Sequence, residues 1–99
     1  MNDIHIHQFA EELRLRNYAE RTVHDYTLNV KDFFRYLSDE ESVNTINEIR
    51  PDHIRSYQLF HQNKVSRYNK QMNTKSICTK MNSIKVFFRL MFESGLIRN

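Results

Sequence analysis

Residues 72–99 read MNTKSICTKMNSIKVFFRLMFESGLIRN. From Asn73 onward Ile77, Met81, Ile84, Phe88 and Met91 recur at three- and four-residue intervals, the spacing of one face of an α-helix. Asn73 suits an N-cap, where its side-chain oxygen accepts from a free backbone N–H, and Gly95 suits the left-handed position that closes a helix. The spacing therefore predicts a helix running to about Ser94, with Lys75, Thr79, Asn82, Val86 and Arg89 on the outward face. Over its first three turns that face offers a cation, a hydroxyl and an amide, groups that hold phosphates and read base edges in a major groove. Ser76 and Lys80 adjoin it and complete the candidate contacts of this helix, although a generic solvated face has the same composition.

The same periodicity recurs upstream. Val23, Tyr26, Val30, Phe33, Phe34 and Leu37 fall within an arc of roughly 100° at 3.6 residues per turn, which predicts a core-facing helix over 20–38. Leu28 lies opposite that stripe. Ile6, Phe9, Ala10 and Leu13 predict a first helix over 3–16, ending near Asn17-Tyr18. Periodicity then lapses from Asp39 to Arg50, a connector that opens on the acidic run Asp39-Glu40-Glu41. Pro51 marks a new start, since proline at the first helical position presets φ and wastes no hydrogen bond, and Asp52 beside it suits the positive end of the helix dipole. A third helix is expected over 51–63, burying Ile54, Tyr57 and part of Phe60, followed by a solvent-facing connection over 64–71.

Two further groups are candidates for phosphate contact. Arg21, Thr22 and His24 stand at the start of the second helix, where free backbone N–H groups favour an anion, with Asp25 behind them as a surface carboxylate. Lys64, Arg67 and Lys70 interleave with Tyr68 as a backbone-tracking loop would, or as any polar loop does.

Composition narrows the class. A chain of 99 residues with one Gly and one Pro has few of the turns that sandwiches and barrels require, so an all-α, single-domain bundle is the economical reading. One cysteine, Cys78, precludes an internal disulfide and fits a reducing compartment. His5 and His7, two apart, point to different faces of a helix and predict no metal site. No cofactor is implied, because a single glycine permits no glycine-rich phosphate loop, and no catalytic arrangement is recognisable. Neither a signal peptide nor a long apolar run is visible, so a cytoplasmic protein without a membrane partner is expected. Charge is divided unevenly: residues 1–50 hold six Lys/Arg against ten Asp/Glu, and residues 51–99 hold nine against two. That basic half suits a polyanion, though a solvated basic surface accounts for it as well.

Three segments, taken together, resemble the core-binding domain of tyrosine recombinases and phage-type integrases. Asn17-Tyr18-Ala19-Glu20-Arg21-Thr22-Val23-His24-Asp25-Tyr26, with Val30, Phe33, Phe34 and Leu37, is similar to the second helix of that domain. Ile49 to Tyr57 resembles the start of the third, and Ser76-Ile77 through Met81, Ile84-Lys85, Phe87-Phe88 and Gly95 to Asn99 the last helix and exit. The resemblance spans about Phe9 to Asn99 and implies a four-helix, SAM-like domain that grips duplex DNA through its second and fourth helices. It further implies a catalytic domain of the same polypeptide, beyond Asn99, and other recombinase protomers as partners on the DNA. The family's Arg, Lys, His and nucleophilic Tyr constellation has no counterpart here. Thr79 stands where many relatives carry a basic residue, which leaves open whether Thr79 or Lys80 reaches DNA. A freestanding helical DNA-binding regulator and a protein-interaction bundle with an acidic partner are the rival readings.

Overall fold

A computed structural model of the chain describes residues 3–67 and 74–97. It contains α1 (Asp3–Leu15), α2 (Glu20–Glu40), a 3-10 turn (Ile46–Glu48), α3 (Pro51–Arg67) and α4 (Thr74–Glu93), with no strand among the described residues. The all-α, four-helix expectation holds. The expected stripes of α1 and α2 form the core: Ile6, Phe9, Leu13, Val23, Val30, Phe33, Phe34 and Leu37 are buried, while Ala10 and Tyr26 pack against them half-buried. Leu28, opposite the stripe, is exposed.

The helix ends follow local chemistry. At the end of α1, Asn17 takes φ 65°, and the Tyr18 N–H reaches back to the Leu13 carbonyl at 3.0 Å. Gly95, at φ 73°, ends α4 in the same manner, with the Leu96 N–H bonded to the Met91 carbonyl at 3.0 Å. In both cases a left-handed residue turns the chain back on carbonyls that the helix itself cannot satisfy. The α3 start is a reciprocal cap: the Arg50 N–H donates to His53 Nδ1, and the His53 N–H to the Arg50 carbonyl, each at 2.9 Å. Proline at Pro51 fits because that position has no carbonyl to donate to.

Three expectations require correction. Helix α2 continues two residues past Ser38, through Asp39 and Glu40, because Tyr36 is buried in its last turns and its hydroxyl bonds Glu41 at 3.0 Å. Helix α3 continues past Asn63 to Arg67, so 64–67 belong to a helix rather than to a solvent-facing connection. Val86 is buried rather than outward-facing. Its burial reflects the breadth of the α4 contact surface. Helix α4 packs against α1, α2 and α3 at once, and buries Ser83, Val86, Phe87 and Leu90 as well as the expected Ile77, Met81, Ile84 and Met91. Phe88 is displaced to the margin, half-buried against this core.

Phe87 is the hub of the aromatic packing. Its ring meets Phe9 of α1 at 5.2 Å, Phe34 of α2 at 5.5 Å and its neighbour Phe88 at 5.1 Å, each edge to face. That geometry sets the positive ring edge against a negative face. Arg16 Nη1 and Glu93 Oε1, 3.0 Å apart, join the ends of α1 and α4 on the surface.

Candidate nucleic-acid interface

Helices α2 and α4 are stitched together by polar side chains. Asn82 Nδ2 donates to the Tyr26 hydroxyl at 3.1 Å, and Asn29 Nδ2 donates to the buried Ser83 hydroxyl at 2.9 Å. Ser83 in turn donates to the Thr79 carbonyl. The Asn82–Tyr26 bond lies at the exposed edge of the contact, whereas Ser83 is fully buried and keeps two hydrogen-bond partners there. Asn82 is thereby held at the α2–α4 seam, and Lys75 and Thr79 are exposed on the same helix.

Each predicted contact residue can now be placed. Arg21 is exposed at the start of α2, and Thr22 beside it is half-buried. His24 is exposed but turns toward α1, where it lines a groove of about 440 Å³ with Ile6, His7, Arg14 and Lys31. Lys75, Ser76, Thr79 and Asn82 are all exposed on the first turns of α4. The Thr79 hydroxyl donates to the Lys75 carbonyl at 2.9 Å and retains its lone pairs toward solvent. Lys85 and Arg89 extend the exposed cations toward the end of the helix. Lys64 and Arg67 fall in the last turn of α3, and their side chains, like all of Lys70, lie outside the described residues.

Lys80 differs from its neighbours. Its ammonium is directed inward, 3.7 Å from Asp32 Oδ2 on α2. The same oxygen accepts from the Tyr57 hydroxyl of α3 at 2.5 Å and stands 3.6 Å from His61 Nε2. The His61 imidazole, the Tyr57 hydroxyl and the Lys80 charge hold the Asp32 carboxyl far below the usual carboxylate range, against the opposing effect of burial. Burial and the bond to Asp32 push the Tyr57 phenol well above its ordinary range. No periodicity argument identifies this cluster. Its trace in the sequence is Asp32 beside the α2 stripe, with His61 one turn beyond Tyr57 on α3.

The arrangement presents hydroxyl, amide and cationic groups on adjoining helices, with no group of three or more His, Cys, Asp or Glu placed for a metal among the described residues. No described helix is long and apolar enough to cross a membrane. Phosphate contact and base-edge hydrogen bonding are the chemistry such a surface supports.

Comparison with known proteins agrees with this architecture. Residues 6–97 match the family described as phage integrase, N-terminal SAM-like domain, and the chain belongs to that family. It is 25% identical over 93 residues to the tyrosine recombinase XerC of Leptospira interrogans serogroup Icterohaemorrhagiae, in both serovar copenhageni and serovar Lai. The alignment covers 93% of this chain and 28% of each relative, so the chain spans little more than a quarter of the proteins it matches. No solved structure gives a significant match. Nearly the whole chain is thus accounted for by an integrase N-terminal SAM-like domain, and it is similar to part of a tyrosine recombinase.

Proposed function

We propose that this chain grips duplex DNA for a tyrosine recombinase, laying α2 and α4 against the major groove of a recombination half-site. The observation that carries the reading is the polar stitching of α2 to α4 through Tyr26, Asn82, Asn29 and Ser83, which holds two helices with exposed contact groups as one rigid surface. Arg21, Lys75 and Ser76 neutralise or bind phosphates, while Thr79 and Asn82 face base edges. Thr22 supports the α2 start, and His24 contributes from the α1 side. Lys64, Arg67 and Lys70 extend the phosphate contacts beyond the described surface. Strand cleavage belongs to a catalytic domain of the same polypeptide, and recombination to several protomers assembled on DNA, so Tyr18, Tyr26, Tyr36, Tyr57 and Tyr68 carry no nucleophilic role.

Fluorescence anisotropy with a labelled duplex tests the reading. Binding is expected at low salt, with a log–log salt slope of about −0.9 for each phosphate contacted. A chain that remains unbound at low salt would overturn it.

A further inference from the structure

Asp32 lies in the crevice between α2, α3 and α4, where the Tyr57 hydroxyl, the His61 imidazole and the Lys80 ammonium converge on its Oδ2 atom from two helices. They do so unequally. Tyr57 is hydrogen-bonded at 2.5 Å, whereas Lys80 stands at 3.7 Å, inside ion-pair range but beyond hydrogen-bond range. The Lys80 side chain is 23% exposed and that of Asp32 42%, so the pair sits at the mouth of the crevice, where a polyanion could compete for the ammonium. Lys80 also follows Thr79 directly on the helix assigned to DNA, and an unpaired cation there would bind any phosphate regardless of sequence.

We infer that Asp32 is a specificity-determining residue that withholds Lys80 from DNA phosphates, suppressing sequence-independent affinity at the α2–α4 surface. The inference rests on the proposed DNA-binding role and adds to it an internal counter-anion. Tyr57 anchors the carboxylate in the crevice, so Lys80 must give up the ion pair to reach a phosphate on the neighbouring face. The ionic count of the complex is then one contact smaller than the cations of α4 suggest.

The experiment uses the 99-residue chain and a duplex of arbitrary sequence. Asp32→Asn keeps the side-chain shape and an acceptor for Tyr57 while removing the charge, and circular dichroism checks its fold. Its salt slope is expected to steepen by about 0.9, one additional phosphate. The double variant Asp32→Asn with Lys80→Met should lose that gain. Persistence of the gain in the double variant, or an unchanged slope in folded Asp32→Asn, overturns the inference. A second measurement needs neither DNA nor a variant: in the wild-type chain, limited acylation read by mass spectrometry should modify Lys80 more slowly than exposed Lys85. Equal rates overturn the inference alone, whereas failure of the wild-type chain to bind any duplex overturns the proposed function.

Discussion

Asn82 Nδ2 and the Tyr26 hydroxyl, 3.1 Å apart, join α4 to α2 across 56 residues of sequence. The bond is solvent-accessible, so its net contribution to stability is at the lower end of the usual range, about 0.5 kcal/mol. Tyr26→Phe preserves the ring packing against Tyr18, at 6.1 Å, and removes only the acceptor. The variant should melt within a few degrees of the wild type yet bind duplex DNA more weakly, because the Asn82 amide is no longer oriented. Parallel thermal denaturation and anisotropy measure the two effects.

Replacing Lys75 and Thr79 with Ala should weaken duplex binding more than replacing Asp39 and Glu40, which stand in the last turn of α2. The Lys75 change should also reduce the magnitude of the salt slope by about 0.9, the signature of one lost phosphate contact. Equal effects from both pairs would remove α4 from the interface.

Phe87→Ala should cost about 3–5 kcal/mol, since the ring is fully buried between Phe9 and Phe34 and leaves a cavity that three helices cannot close. For a domain whose total stability is on the order of 5–15 kcal/mol, that is enough to unfold much of the population. Phe92, exposed in the last turn of α4, should tolerate Ala with a change of about 0.5 kcal/mol or less. Urea denaturation of the two variants provides the comparison.

The Asp32 carboxyl has a folded pKa below its ordinary value of 3.8, owing to His61, Tyr57 and Lys80. A depressed carboxylate binds its proton more weakly in the folded than in the unfolded state, so its stabilisation is fully present above the unfolded pKa and is lost as pH falls through the folded value. The stability gap between the wild type and Asp32→Asn should therefore be constant near neutrality and narrow below about pH 4. At the alkaline end the sign reverses. Burial and the bond to Glu41 push the Tyr36 phenol up to about 12, so its contribution is complete below the ordinary phenol value of 10.0 and is lost between there and 12. Ultraviolet titration of phenolate formation, with unfolding monitored in parallel, checks both limbs.

The α1 and α2 cores were legible because each buries essentially one stripe, and a 3.6-residue period reports one stripe well. Helix α4 was only half legible. With neighbours on three sides its buried arc is far wider than a single stripe, so Val86 appeared to face outward although it is enclosed. The end of α3 was obscured for a different reason: Lys64, Ser66 and Arg67 carry no apolar periodicity, but nothing in them opposes a helix already under way. At the candidate interface, exposure of Arg21, Lys75, Thr79 and Asn82 could be anticipated from the wheel. The Asn29–Ser83 bond and the convergence on Asp32 depend on how separate helices cross, and no spacing within one helix encodes that.

The packing of Phe87 on Phe9 brings the last helix onto the first, and α4 supplies Ile77, Met81, Ile84, Val86, Leu90 and Met91 to the same core. During synthesis, α1, α2 and α3 therefore leave the ribosome with their shared apolar surface still open. Folding of this domain is deferred until α4 has emerged, and a ribosome stalled before Phe87 would display an uncovered, aggregation-prone face.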